Sequence, residues 1–412
     1  MTDDGSNRWL IAAAGVVMQV ALGAVYAWSV FRIPLTTAYG WTIAEATFAF
    51  ELAILVLGFA SFAGGLLMQR IGPRRVAIAA GVFYGLGTML AGGSNGSLGW
   101  LYTSYGLIGG VGLGLGYIVP LATLIKWFPD RRGMITGLAV AGFGAGALIT
   151  APVAERLLSS VGIASTFTIL GLAYLVAVAG GGFFMRNPPD GYRPSGWQPP
   201  VTAAGSSAAD SYTLRDALRS WHWYALWAIL FLNTTAGISI ISQASPMAQE
   251  ITHVTAAVAA GMVGIISIAN GVGRLFWAWL SDVVGRRQVF LTMFLLQALI
   301  FTLLPRVESF PALAALLFVV LLCYGGGFGT MPAFAADFFG PTNIGSIYGL
   351  MLTAWGFAAV LGPTLIASIR QSTAHYTDAL ELLAIVMLVS AALPLLLRTG
   401  HTDQLRAAVK PS

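Results

Sequence analysis

Arg274 is a residue whose type and position together call for chemistry. It lies inside an apolar run that reads as a membrane-spanning helix over 255–281, about two turns from the end of that helix. A guanidinium left in hydrocarbon costs roughly 2.5–3.5 kcal/mol or more, so the side chain must meet an aqueous cavity, a partner or a ligand. Asn270 precedes it by four residues, which places both on one helix face. The planar fork of an arginine matches a carboxylate in two-point contact. An amide one turn away either holds the guanidinium or offers the anion a further hydrogen bond. The alternative uses of the charge are pairing with Asp282 or extension toward the membrane surface.

Aromatic residues make a second set. Tyr26, Trp28, Tyr117, Tyr324, Phe328 and Trp355 fall in four other apolar segments. A tyrosine hydroxyl in a membrane interior needs a polar partner, so these rings are candidates for the wall of a cavity; rings packed in the core or facing lipid are the alternative. Glu51, about two turns into its segment, is the most deeply embedded acid. It is a candidate proton relay, with a structural hydrogen-bond partner as the other reading. Glu45, Asp337, Glu250 and His253 lie near segment ends, where solvated or loop-pairing roles are expected. The run Gly110-x-Gly112-x-Gly114-x-Gly116 looks like nucleotide-binding glycines, but it sits inside an apolar helix and not after a strand, so it reads as close helix packing. No catalytic constellation, metal-ligand set or cofactor motif is visible, and Cys323 lies in an apolar run. These features argue against an enzyme and against a bound cofactor.

The elements that must position these groups follow from composition. Of 412 residues, 57% are hydrophobic and 9% are charged, against about a quarter charged in soluble domains. Spanning helices need roughly 20 apolar residues. The segments run over 9–33, 43–69, 76–93, 100–125, 133–155, 163–185, 222–247, 255–281, 289–305, 311–336, 344–368 and 377–397. Fifty glycines and 18 prolines suit membrane helices that approach closely. The first segment is too long for a cleaved signal core and is expected to remain as a span. Residues 188–220, rich in Pro, Gly, Ser and Ala, read as a linker that ends in a short amphipathic helix over 213–220. The expected domains are therefore 1–187, the linker 188–220, 221–399 and a tail 400–412.

Sixteen of the 21 lysines and arginines fall on the side of the termini and linker. Arg32, Arg156, Arg306 and Arg370 fall on the other, and Arg274 is embedded. This asymmetry predicts cytoplasmic termini and explains the net charge of +5 without nucleic-acid binding. The halves also repeat. Pro120, Pro129, Gly133, Gly137 and Leu138 recur 212 residues later as Pro332, Pro341, Gly345, Gly349 and Leu350. Two six-helix halves are the expected result.

Two loops repeat with them. Arg70-Ile71-Gly72-Pro73-Arg74-Arg75 is answered by Asp282-Val283-Val284-Gly285-Arg286-Arg287. Both are similar to the loop motif of the major facilitator superfamily, in which an acid, a glycine and two basic residues lock the halves through charge pairs; Gln69 replaces the acid in the first copy. The run Asn270-Gly271-x-x-Arg274-x-Phe276-Trp277-x-x-x-Ser281-Asp282-x-x-Gly285-Arg286 closely resembles helix eight of the bacterial oxalate/formate antiporter and monocarboxylate transporter families. Gly23 to Ser29 and Lys126 to Gly133 resemble their first helix and the loop after their fourth. The resemblance implies an all-α membrane fold of twelve helices in two six-helix halves. It also implies that Arg274 binds a substrate carboxylate, with Asn270 in the same site and Tyr26, Tyr117, Tyr324 and Phe328 in the cavity. Two departures bear on substrate and coupling: the oxalate antiporter has a lysine where this chain has Trp355, and animal monocarboxylate transporters have an aspartate where it has Asn270.

The expectation is a secondary carrier of small monocarboxylates such as lactate or pyruvate, coupled to protons, in a bacterial inner membrane and working as a single copy by alternating access. An anion exchanger of the oxalate/formate type is the alternative. A broad-specificity efflux carrier is a further rival, although it would not require an embedded arginine beside an asparagine.

Overall fold

The computed structural model describes residues 7–194, 212–373 and 375–397; part of the linker and the tail predicted over 400–412 lie outside these. The described residues are mostly helical, without a strand among them, and form twelve rods. α1 starts at Arg8–Gly23, capped by the Asn7 side chain on the Trp9 amide at 2.9 Å, and continues through a 3-10 turn, Ala24–Ala27, into Trp28–Tyr39. α2, Ile43–Ile71, opens on a capping box of Thr42 and Glu45. Gly72, at φ 78°, turns the chain into α3, Pro73–Ala91. α4 combines Leu98–Leu101, a π-helical stretch Tyr102–Gly109 and Gly110–Trp127. The long helix Arg132–Gly182 breaks at Gly162, φ 78°, into α5 (132–161) and α6 (163–182).

The second half repeats the plan. It has α7 (Trp221–Thr252), α8 (Ala256–Val284), α9 (Arg286–Leu303) and α10 (Phe310–Phe339). α11 joins Ile344–Met351 to Thr353–Thr373, and α12 joins Thr377–Ser390 to Ala392–Leu396. Gly285, φ 99°, turns α8 into α9 as Gly72 turns α2 into α3. The linker ends in a short helix, Leu214–Arg219, where the Thr213 hydroxyl and the Asp216 carboxylate cap each other. That hydrogen bond holds the Asp216 carboxyl below its usual range. Nine stretches of the described residues are long and apolar enough to cross a membrane, and one of them contains both α5 and α6.

Glycines set the packing within each half. A Cβ on Gly23 of α1 would strike the Phe143 carbonyl of α5, and one on Gly146 would strike Val20 O. Such contacts let backbones touch, as membrane interfaces favour. Between halves α5 lies along α8 and α2 along α11, with matching detail. A Cβ on Gly137 would stand 2.8 Å from Arg274 O, and one on Gly349 would stand 2.6 Å from Ser61 O.

A group of polar contacts that cross between halves closes the end that carries the linker helix. Asp282 accepts from the Gly133 and Met134 amides at 3.1 and 2.8 Å and so caps the start of α5. Arg286 pairs with Asp282 at 2.6 Å and with Asp337 at 3.1 Å, and Arg132 reaches Asp337 at 3.3 Å. In the first loop the amide of Gln69 does the crossing, donating to Asn343 and Ser346 at 3.2 and 2.9 Å. Arg74 and Arg75 are exposed, and neither they nor Arg287 form an ion pair among the described residues. The two copies of the loop motif therefore act unequally: the second locks by charge, the first by an amide.

Candidate functional site

Arg274 is fully buried near the middle of the molecule. It does not pair with Asp282, which is engaged at the loop end. Its Nε donates to Asn270 Oδ1 at 3.3 Å, as the four-residue spacing predicts, and its Nη1 donates to the Val140 carbonyl of α5, in the opposite half, at 3.2 Å. The guanidinium carbon lies 5.5 Å from the Phe143 ring and 5.3 Å from the Phe328 ring, so aromatic groups from both halves contact it. Nη2 is buried without a partner, and no carboxylate pairs with Arg274 among the described residues.

α8 brings the arginine there because α10 yields space. A Cβ on Gly325 would strike Asn270 O, one on Gly329 would strike Arg274 O, and one on Gly273 would strike Leu322 O. The two helices thus run backbone against backbone, which holds Asn270 and Arg274 at fixed height.

Tyr26, Tyr117, Tyr324, Phe328 and Trp355 come together around the guanidinium. Trp355 stands 4.7 Å from Phe328, 5.6 Å from Tyr117 and 6.4 Å from Tyr26, and Tyr324 packs edge-on to Phe328 at 5.3 Å. Phe143, which the residue types did not mark, meets Tyr26 at 5.3 Å, Tyr117 at 5.2 Å and Trp355 at 5.8 Å. The signal for it was present, because Phe143 precedes Trp355 by the repeat spacing of 212. Tyr348 and Val140 were likewise unmarked. Trp28 belongs elsewhere: its indole donates to Ala46 O at 3.0 Å and packs on Tyr105 inside the first half. Glu51 is half-buried on α2 with no hydrogen bond or ion pair among the described residues; its neighbour Phe50, not Glu51, makes the ring contact to Tyr26 at 6.4 Å.

The hydroxyls complete the picture. Tyr26 OH stands near the guanidinium and near Tyr324 OH, and Tyr117 OH near Tyr348 OH, yet none of the four completes a hydrogen bond of regular geometry. The Trp355 indole N–H is also buried and unpartnered. An indole N–H and a guanidinium only donate. The guanidinium and the indole therefore offer unused donors at the centre of the molecule, with no carboxylate among the described residues paired to the arginine, a setting that favours an anion.

A sequence profile of the Major Facilitator Superfamily matches residues 13–269 and 226–410. Among similar proteins, an uncharacterized MFS-type transporter, YhjX, of Escherichia coli (strain K12) is 32% identical over 86% of each chain. An oxalate:formate antiporter of Oxalobacter formigenes is 26% identical over 88% of this chain and 85% of its own. Monocarboxylate transporter 13 of Bos taurus is 26% identical over 91% and 85%. In fold, the crystal structure of the E. coli fucose:proton symporter superposes with a TM-score of 0.72 at 14% identity, over 94% of this chain and 98% of that one. With twelve helices in two repeated halves, and a profile that spans both, the chain is a multi-pass membrane transporter and belongs to the Major Facilitator Superfamily.

Proposed function

We propose that the chain carries small monocarboxylate anions, lactate or pyruvate in kind, with a proton, by alternating access about Arg274. The observation that carries this reading is the buried guanidinium with Nη2 unpartnered, ringed by unpartnered hydroxyls and an indole N–H. Nη2 and the second hydrogen of Nη1 are available to a carboxylate in two-point contact. Arg274 is the embedded cation, so a single carboxylate matches its charge, whereas a dianion would bring a second carboxylate without a cationic partner. The rings of Phe143, Phe328 and Trp355 suit a short apolar tail. The relatives named for oxalate, formate and monocarboxylates lend the carboxylate class support.

The sixteen-to-four distribution of basic residues supports cytoplasmic termini in an inner membrane. In that orientation the closed end is the cytoplasmic one.

Titration calorimetry with L-lactate on the purified protein tests the substrate. Two charge-assisted hydrogen bonds at about 1.5–3 kcal/mol each predict at least a hundredfold loss of affinity in Arg274→Ala. Unchanged affinity in that variant, or a wild-type preference for oxalate over lactate, defeats the reading. For the orientation, an impermeant maleimide should label Asp190→Cys in whole cells only after permeabilisation; labelling of intact cells inverts it.

A further inference from the structure

Resting on that reading, we propose that Thr136 is a positioning residue for the anion site. In this reading its hydroxyl ties α5 to α10 across the two halves, so the site binds anion tightly only while the linker-side seam is closed.

Four groups set the pose of the Arg274 guanidinium. Asn270 Oδ1 and the Phe328 ring belong to its own half, whereas the Val140 carbonyl and the Phe143 ring belong to the other. Both of the latter sit within one turn of α5. One turn closer to the linker end, Thr136 Oγ1 donates to Gly329 O at 2.9 Å and is completely buried there. Gly329 is the residue whose missing side chain lets the α10 backbone lie against Arg274. Thr136 therefore fastens α5 to the stretch of α10 that backs the arginine. Gly144 on Gly271 and Gly137 on Arg274 O keep α5 close to α8 on either side of the same level.

This fastening is built to release. The Thr136 hydroxyl has alternative acceptors at 2.9 Å in its own helix, Arg132 O and Gly133 O. A hydroxyl has a single hydrogen to give, so it bonds across the seam or falls back on its own helix without being left unsatisfied. When it falls back and α5 withdraws, Val140 O and Phe143 leave with it. Arg274 then loses half of what orients it, and the bound anion loses its receptor. The repeat supplies a counterpart: Tyr348 and Tyr117 stand 212 residues from Thr136 and Gly329, and their hydroxyls approach each other between α11 and α4, the equivalent contact between the halves. Binding from the side opposite the linker and release on the linker side follow from this geometry.

The test uses Thr136→Val, which keeps the shape and removes the donor, and Thr136→Ser, which keeps the donor. Nitroxides on Ile71→Cys and Val284→Cys, both exposed at equivalent ends of α2 and α8, report the seam by pulsed spin-label distances. Calorimetry with L-lactate reports the site. For Thr136→Val the expected results are a Kd higher by about threefold to tenfold and a larger long-distance population. For Thr136→Ser both should return to within about twofold of wild type. A Thr136→Val protein with wild-type Kd and distances overturns the proposal, and so does a serine variant as impaired as the valine one, which would assign the effect to packing. Failure of lactate to bind the wild type would strike the substrate reading instead. The distance arm, run without anion, would still judge the latch: unchanged distances in Thr136→Val would overturn it.

Discussion

A single side chain sets the polarity of the site. At the repeat spacing of 213, Arg274 is answered by Ser61, and the two occupy equivalent contacts: Gly137 meets the Arg274 carbonyl as Gly349 meets that of Ser61. Ser61 spends its hydroxyl on Gly114 O at 3.1 Å, inside its own half. The charge is thus confined to one half, while Phe143 and Trp355, also equivalent by repeat, close the site from both. Replacing Trp355 by lysine would add a second cation where an indole N–H is now unpartnered. Trp355→Lys is therefore expected to gain oxalate binding by about tenfold or more, from one charge-assisted bond, and to lose affinity for lactate. Competition of both anions against one bound ligand reads the switch, and a variant that still prefers lactate counts against Trp355 as a determinant of anion charge. At this scale the arginine was legible because a charge in an apolar run has few uses. Phe143 was not, because a phenylalanine in a membrane helix carries no mark of its function; only the repeat pointed to it.

Helices deliver these side chains through what they omit. Along α10, Gly325 and Gly329 receive the α8 backbone, Gly326 receives the Trp277 ring and Gly327 the Asn233 amide. The run reads in sequence as flexible or as tightly packed, and the partner of each glycine is not written in it. Segment starts were readable to within a few residues, whereas the first, fifth, seventh and eleventh helices run on past their expected ends to Tyr39, 161, Thr252 and Thr373; the short linker helix expected over 213–220 is found at Leu214–Arg219. The π-helical stretch Tyr102–Gly109 and the 3-10 turn Ala24–Ala27 were not, since apolar periodicity marks a helix without distinguishing its hydrogen-bond register. Gly329→Ala puts a methyl group onto the Arg274 carbonyl, and overpacking of this kind costs about 1–3 kcal/mol. Its expected result is a lower thermal midpoint together with weakened lactate binding. Gly180→Ala in α6, with nothing within 4 Å, should hold or raise the midpoint and leave binding alone. Equal behaviour of the two variants would mean that α8 and α10 do not depend on backbone contact.

For the whole molecule, duplication makes the fold legible, and the break in its symmetry at Arg274 sets the charge of the candidate site. The recurring Pro and Gly positions announce two halves, and the structure adds that the linker end is closed by the Asp282, Arg286 and Asp337 network together with Gln69. Coupling belongs to this scale, because it concerns net charge moved by the entire carrier. On the proposed reading, a fixed guanidinium that receives a lactate anion and returns empty moves one negative charge per cycle. Moving that charge into a negative interior costs about 2.3 kcal/mol per 100 mV. A proton carried with the anion cancels this cost, either on the substrate carboxylate released from Arg274 or on Glu51, half-buried on α2 with no hydrogen bond or ion pair among the described residues. Lactate uptake into proteoliposomes should therefore rise severalfold with an inward proton gradient and remain unchanged by a potassium diffusion potential of either sign. Glu51→Gln should abolish the gradient effect if that carboxylate is the relay, and should leave it intact if the substrate carries the proton itself. Uptake that ignores the proton gradient but is stimulated by lactate or formate loaded inside would identify obligatory anion exchange, with the empty carrier held back by its unpaired buried arginine.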